Sequence, residues 1–286
     1  MSRGEENPPL PTHDSPLTVS RRRCAIRNPL KTKLKRGETV WGTFVYEYGS
    51  PAVPRIMQAA GWDYILIDTE HAGFGIETVS SLLAVSSTVG LPALVRVPET
   101  QRSFLSRPLD AGALGLMIPR VESREQAELI VRYAKYPPVG DRGAILGNAH
   151  TDYRMVDGKA FMRQANAETL LIMQIETREG LEHLDEILSV PGLDVALIGP
   201  FDLSTSLGVP GEVNHPRMTA AIDRFVTSCK RHGVTSGNFV TTVADGKAWQ
   251  RRGMRFLIYS ADFFMLMERS REVLAELRAG RKLRGR

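Results

Sequence analysis

The chain has 286 residues, 42% hydrophobic and 24% charged, with 25 glycines and 17 prolines, a make-up of globular proteins rather than disordered or collagen-like ones. Its two cysteines, Cys24 and Cys229, are too few for a disulfide framework or a cysteine zinc site and fit a reducing compartment. The formal charge of +5 sits at the ends, since residues 1–36 net +6 and residues 277–286 net +5, leaving 37–276 at −6; a folded domain gripping nucleic acid through a basic face is thereby disfavoured.

Residues 1–28 hold Pro8, Pro9, Pro11 and Pro16 and the run Arg21-Arg22-Arg23 with little apolar content. Such a segment cannot offset its ordering entropy by burial, so it reads as a flexible basic tail; an arm for nucleic acid or a membrane surface is the alternative. It lacks the hydrophobic core of a signal peptide, and Glu5, Glu6 and Asp14 argue against a transit peptide. No apolar run reaches the roughly 18 to 20 residues that span a bilayer. A cytoplasmic protein without membrane or nucleic-acid partners is expected.

From residue 29 to 286 the pattern is that of one domain. Candidate strands are Thr39–Val45, Trp62–Ile67, Pro92–Val97, Leu114–Ile118, Thr169–Ile175, Asp194–Ile198, Val234–Val240 and Phe256–Tyr259. Several are nearly unbroken apolar runs, such as Tyr64-Ile65-Leu66-Ile67, as strands buried on both faces of a parallel sheet require. Helical patterns alternate with them. Val79, Leu82, Leu83 and Val89 share a face of Ile76–Val89, and Arg124–Tyr136 starts at a Ser123 cap and stops before Pro137-Pro138. A further helix is expected around Asp157–Ala165 inside the long connection from Pro119 to Thr169. Eight βα units in about 250 residues predict a (β/α)8 TIM barrel in the α/β class, with a doubly wound open sheet as the rival. The chain ends in a helix with the apolar stripe Phe263, Phe264, Met267, Val273, Leu274 and Leu277, and then a basic end.

In a barrel, chemistry belongs at the C-terminal ends of the strands. Polar residues interrupt the apolar runs there: Asp68-Thr69-Glu70-His71 after the second strand, Arg96 after the third, Gln174-Ile175-Glu176 after the fifth, and Gly199-Pro200-Phe201-Asp202 after the sixth. Taken singly, Glu176 fits a helix-start carboxylate and Asp202 an N-cap. Together, two acids without a cysteine or histidine cluster suit a hard divalent ion such as Mg²⁺ or Mn²⁺. Asp68 and His71 are three apart, close enough for the carboxylate to fix the imidazole tautomer, although a surface-loop histidine gives the same spacing. Arg96, following an apolar strand, must meet an anion, either a structural acid or a substrate carboxylate. His150, in the long connection, is the other histidine that could approach this rim.

These segments, with Tyr136-Pro137-Pro138 and Arg142-Gly143, resemble in order and spacing the HpcH/HpaI aldolases, the metal-dependent class II pyruvate aldolases that include 4-hydroxy-2-oxoheptanedioate and 2-dehydro-3-deoxyglucarate aldolases. The resemblance runs from about Gly42 to the C-terminal helix. It implies a barrel of the phosphoenolpyruvate/pyruvate-binding type that reversibly cleaves a 4-hydroxy-2-oxo acid to pyruvate and an aldehyde. It further implies Glu176 and Asp202 as ligands of a divalent ion, Mg²⁺ first and Mn²⁺ or Co²⁺ next. His71 with Asp68 would be the acid/base dyad, Arg96 would polarise the keto acid, and Gln174 would neighbour the metal. The backbone of Gly199, Pro200 and Phe201 would receive the pyruvate carboxylate. Family members tend to be hexamers, so a homo-oligomer is implied.

Departures fall on the substrate rim. Arg120 stands where the family commonly has a smaller, aromatic or imidazole side chain, and Ile145-Leu146-Gly147-Asn148, Gly237-Asn238-Phe239-Val240 and Leu257-Ile258-Tyr259-Ser260 also differ. A Schiff-base mechanism needs a lysine ending a strand inside the barrel, and the eight lysines all fall in expected tails, helices or loops. The runner-up activities are a lyase for acyl-CoA thioesters and a decarboxylating carbon–carbon bond-forming enzyme. A barrel without activity, serving as a binding protein, is the alternative from another class.

Overall fold

The computed structural model describes residues 26–279, so most of the expected tail and the basic end at 280–286 lie outside the described residues. Among the described residues, strands β1 (Val40–Val45), β2 (Tyr64–Asp68), β3 (Ala93–Arg96), β4 (Gly115–Ile118), β5 (Leu170–Ile175), β6 (Val195–Ile198), β7 (Thr235–Val240) and β8 (Phe256–Ala261) run parallel in sequence order. The sheet closes where β1 pairs with β8, Val40 opposite Phe256. That pairing excludes the open sheet, and the eight expected strands stand within two residues of their expected ends.

Closure explains why the runs are apolar throughout. Alternate residues point inward and outward, and both sides are buried. The inward set includes Val40, Phe44, Tyr64, Leu66, Leu94, Met117, Ile172, Leu197 and Phe256, packed as one cluster. The outward set, including Ile65, Ile67, Val95, Leu116, Met173 and Ile198, packs against the surrounding helices. Near the floor the Tyr64 ring lies 4.8 Å from that of Phe256 and its hydroxyl donates to the Leu257 carbonyl. Gly42 makes room for that ring, because a Cβ there would stand 2.3 Å from it. The helix Pro29–Lys35 closes the N-terminal end, placing Leu30 in the interior cluster. Its N-cap Asn28 is buried and donates to the carbonyls of Leu114 and Glu168.

The helix Ile76–Val89 has the expected bounds and ends on Gly90, whose φ of 73° lets the chain reverse without a Cβ penalty. Ser123 caps the helix Arg124–Ala134 by accepting from the Gln126 amide. The long connection then carries a 3-10 turn at Ala149–Thr151 and the helix Gly158–Glu168, capped by Asp157. It takes the chain back to the N-terminal end of the barrel, and His150 with it. His150 therefore lies near the start of β4, its ring tilted by 50° against that of Phe161 at 4.9 Å, and not at the catalytic rim.

Candidate active site at the C-terminal rim

The inward series of each strand, continued by one step, builds the site. Phe44 is followed by Tyr46, Leu66 by Asp68, Leu94 by Arg96, Ile172 by Gln174 and then Glu176, and Leu197 by Gly199. Period-two alternation thus carries each strand from an apolar interior layer to a polar one at the top of the barrel.

Arg96 is the centre of the first half of the site, with only 6% of its side chain exposed. Its Nε donates to Asp68 Oδ1 at 2.5 Å and its Nη2 donates to the Tyr46 hydroxyl at 2.7 Å. Its Nη1 is 3.0 Å from Glu70 Oε2, a contact close enough for an ion pair but without hydrogen-bond alignment, so that oxygen keeps an open lone pair. The Phe44 ring lies beneath the guanidinium at 4.7 Å. The anion expected for Arg96 is therefore structural, Asp68 and Glu70 together. The second hydrogens on Nη1 and Nη2 remain for a substrate. Burial pushes the Tyr46 hydroxyl up to about 12, with Asp68 and Glu70 adding to the rise, so this phenol stays protonated.

Asp68 is fully buried, and its carboxylate does not take the role expected from its spacing to His71. Oδ2 accepts from the backbone amides of His71 and Ala72 at 2.7 and 3.0 Å, while Oδ1 accepts from Arg96. A buried carboxylate needs donors, and these three supply them. Asp68 thus fixes the loop that carries His71 rather than the imidazole tautomer. The His71 ring, 62% exposed on the rim, has Glu70 as its carboxylate neighbour, with Nε2 3.8 Å from Oε2.

The second half of the site is acidic. Glu176 is 3% exposed; its Oε1 accepts from the Arg120 amide at 2.9 Å and its Oε2 from Gln174 Nε2. Burial raises this carboxyl to about 7, and the nearby charges of Asp202 and Glu70 act in the same direction. Burial likewise raises Glu70, against the pull of Arg96. Asp202 is exposed, in the first turn of the helix Pro200–Ser206, and Gly199 rather than Asp202 holds the N-cap position. Phe201 is exposed beside it.

Three features of this half suit a divalent cation. No basic side chain is bonded to Glu176, so burial first and the charge of Asp202 second raise its hold on a proton. Gln174 Oε1 is buried without a hydrogen-bond partner, a third oxygen donor in the pocket. At Gly199 a Cβ would stand 2.4 Å from Glu176 Oε2 and 2.8 Å from Gln174 Nε2, so the pocket exists only because residue 199 lacks a side chain. An oxygen-only set of this kind matches hard ions that keep open positions for water and substrate. Among the described residues there is no group of three or more His, Cys, Asp or Glu side chains that could hold a metal ion.

Sequence reasoning missed Tyr46, Glu70 as a partner of Arg96 and His71, and the Arg120 amide as a donor to Glu176. The parity of β1 beyond Phe44 was a usable signal for Tyr46. Arg120 acts through its amide, presented to Glu176 by a left-handed backbone with φ of 50° that no sequence pattern announces for arginine. Its guanidinium turns outward to Glu122 at 3.3 Å. Among the described residues the buried lysine is Lys135, whose Nζ donates to the carbonyls of Asn166 and Thr169 at the start of β5, the end of the barrel opposite the site.

Comparison with known proteins places this geometry in context. The family model described as HpcH/HpaI aldolase/citrate lyase matches residues 44–268. A hydroxypyruvate/pyruvate aldolase of Paraburkholderia phytofirmans is 34% identical over 258 residues, 88% of this chain and 98% of that protein. A 2-keto-3-deoxy-L-rhamnonate aldolase of Klebsiella pneumoniae is 34% identical over 237 residues, 83% of this chain and 88% of that protein. Among solved structures, an HpcH/HpaI aldolase from Desulfitobacterium hafniense superposes with a TM-score of 0.83 at 35% identity, covering 87% of this chain and 96% of that one.

Proposed function

Because the chain belongs to the HpcH/HpaI aldolase/citrate lyase family, we propose that this carbon–carbon lyase reversibly cleaves a 4-hydroxy-2-oxo acid to pyruvate and an aldehyde with the help of a divalent ion, Mg²⁺ in the first place. The observation that carries the reading is the pocket of Glu176, Asp202 and Gln174 facing Arg96 across the barrel mouth. Glu176 and Asp202 would hold the ion, which when bound polarises the 2-oxo group and favours the enolate. Arg96 offers its two remaining Nη hydrogens to the oxygen on which negative charge grows as the C3–C4 bond breaks, an interaction that strengthens toward the transition state. Asp68, Tyr46 and Glu70 fix the plane of that guanidinium in advance. His71, held at the rim through its backbone by Asp68 and flanked by Glu70, takes the proton of the C4 hydroxyl as the aldehyde forms, and water or an acid then delivers a proton to C3 to complete pyruvate. The Phe201 amide, at the start of the helix Pro200–Ser206, receives the substrate carboxylate, while the Gly199 amide is taken by the Ile175 carbonyl.

The experiment is a pyruvate-release assay across 4-hydroxy-2-oxo acids of the heptanedioate and deoxy-sugar-acid types, with Mg²⁺, Mn²⁺ or Co²⁺ and an EDTA control. Release should require the ion, and His71→Ala should lower kcat by about 10²-fold while leaving pyruvate binding within about twofold. Release that survives EDTA unchanged, or a His71→Ala enzyme at full speed, would sink the reading.

A pH effect follows from Glu176. Its carboxyl titrates near 7 in the folded chain against an ordinary 4.5, so the folded state binds more protons than the unfolded one between those values. Without the ion, stability should fall as pH rises through that window. Ion binding needs the carboxylate, so the rise in Tm on adding Mg²⁺ should be larger at about pH 8 than at about pH 5.5. Equal rises at both would remove Glu176 from the ligand set.

The family resemblance also implies a homo-oligomer, and we carry that forward as part of the proposal. The C-terminal helix Asp262–Ala279 leaves Phe264, Leu266, Met267, Leu274 and Leu277 exposed. Only its start packs on the barrel, where Phe263 meets Tyr46 edge-on at 6.1 Å. An apolar stripe of that length is an association surface. Light scattering should give a mass above that of one chain, and Leu274→Glu with Leu277→Glu should lower it.

A further inference from the structure

We propose, resting on the activity proposed above, that Tyr46 is a further catalytic residue whose phenol delivers the proton that converts the enolate to pyruvate at C3. Cleavage leaves an enolate that needs an acid, and the roles assigned so far do not supply one. Glu176 and Asp202 serve as carboxylates, and Arg96 and Asp68 are locked in a buried ion pair. The rival donor is His71, but its ring is 62% exposed on the rim, where the proton it takes from the C4 hydroxyl passes to water.

Strand, loop and neighbours all place Tyr46 for this task. It continues the inward series of β1 one step beyond Phe44, in the layer of Asp68 and Arg96 at the barrel mouth. Its ring is half-buried, with Phe44 at 5.0 Å and Phe263 edge-on at 6.1 Å. The chain around it is pinned by Asp262, a buried carboxylate that accepts from the amides of Tyr46 and Glu47 at 3.1 Å each and of Tyr48 at 2.9 Å. The Tyr46 hydroxyl accepts from Arg96 Nη2 at 2.7 Å, a bond that uses a lone pair and leaves the phenol hydrogen uncommitted. Among the described residues no acceptor takes that hydrogen.

Arg96 ties the phenol to the reacting atoms. With one Nη2 hydrogen on the phenol and the other on the substrate's 2-oxo oxygen, the two oxygens stand about 5 Å apart, and C3 is two bonds from the second of them. On the β1 side of that oxygen C3 comes within reach of the phenol. The phenol O–H bond then breaks, the electron pair of the enolate C2–C3 double bond forms the new C3–H bond, and the 2-oxo group is restored. The phenolate left behind is stabilised by the Arg96 charge until water returns a proton. His71 gives one proton to water in the same cycle, so none is consumed. Burial first, then Asp68 and Glu70, keep the phenol protonated at neutral pH, and an enolate carbon is basic enough to take its proton. In reverse the same oxygen, as phenolate, removes a methyl proton from pyruvate.

Two isotope exchanges in the full chain with Mg²⁺ separate the steps. Loss of the pyruvate methyl signal in heavy water, followed by NMR, reports proton transfer at C3 alone. Return of labelled aldehyde into whichever 4-hydroxy-2-oxo acid the wild type cleaves fastest reports C3–C4 cleavage without that transfer. Tyr46→Phe should lower the ratio of the first rate to the second by about 10²-fold, and His71→Ala, which removes the C4 base, should raise it. If the hydroxyl only steadies Arg96, the two rates fall together and the ratio holds in Tyr46→Phe, which overturns the proposal; a ratio that falls in His71→Ala instead assigns the proton to His71 and overturns it too. A readout without ion or substrate checks the state of the group. The ultraviolet difference spectrum between wild type and Tyr46→Phe in EDTA should show no tyrosinate at about pH 9, and a tyrosinate signal there, with no proton to give, counts against the role. A wild type that performs neither exchange ends the proposed activity itself, whereas both exchanges with an unmoved ratio in Tyr46→Phe end only the part of Tyr46.

Discussion

Glu176→Gln should lower kcat/KM for pyruvate release by about 10³-fold and remove its dependence on a divalent ion, without lowering the Tm of the ion-free protein. The two halves of that expectation come from one fact. Glu176 is a buried carboxyl whose proton is held near neutral pH by burial and by the charges of Asp202 and Glu70. Ionised, it is a cost to the apo fold, and a neutral amide of the same shape lifts that cost. The hydrogen bonds can be kept. The Arg120 amide still finds an oxygen, and Gln174, whose Oε1 has no partner, can turn that oxygen toward the new amide. What disappears is the negative charge that attracts the ion. Asp202→Asn should act in the same direction. Gly199→Ala is the sharper control, because it changes no charge. Its methyl would sit 2.4 Å from Glu176 Oε2, so the carboxylate must move, and activity should drop by about 10²-fold with a weakened ion response. Activity measured over an Mg²⁺ titration, beside Tm with EDTA, separates these effects. A Glu176→Gln enzyme that keeps its ion response would show that the ion sits elsewhere.

The barrel was legible because its strands are buried on both faces, which writes them as apolar runs such as Val195-Ala196-Leu197-Ile198 and makes their ends easy to see. The rim was legible for the same reason. Asp68, Arg96 and Glu176 stand out as polar residues that continue an inward-facing series, and the structure gathers them with Gln174 and Gly199 at one mouth. Relations between side chains were less legible than positions. An acid three residues before a histidine can reach either the ring or the backbone, and the turn after β2 presents the amides of His71 and Ala72 to Asp68. Spacing cannot tell these apart, because the choice depends on which donors a fully buried carboxylate can find. Glu70 was in view as part of the same motif, but its ion pair with Arg96 is set by β2 lying beside β3, Asp68 opposite Arg96. His150 shows the limit for long connections: nothing local says that the segment after Pro138 returns to the far end of the barrel. The stripe on the C-terminal helix was readable as apolar, yet only the structure shows that it leaves its own barrel after Phe263.

Arg96 should prove harder to interpret by single substitution, and a double-mutant cycle is expected to resolve it. Arg96→Met removes the Nε donor from Asp68, which is fully buried, and leaves a charge supported by two amides alone. Breaking a buried pair from one side typically costs about 3–5 kcal/mol, so this variant should be markedly less stable in urea as well as inactive. Loss of activity would then say little, because a loosened turn also misplaces His71. Asp68→Asn is gentler, since the amide oxygen can still accept from His71 and Ala72, although both the charge and the acceptor for Arg96 Nε are lost. In the Arg96→Met, Asp68→Asn double variant the unpaired charge is gone, and the two stability losses should add to less than their sum by about 2 kcal/mol or more. Activity should follow a different rule. If Arg96 meets the substrate, the double variant recovers stability but stays down by about 10³-fold in kcat/KM, whereas Asp68→Asn alone, with the guanidinium still present, keeps most of its kcat. If Arg96 serves only to hold Asp68, activity returns together with stability in the double variant. The urea midpoint and kcat/KM of the four proteins distinguish the two roles, and a joint recovery would take Arg96 out of the chemistry.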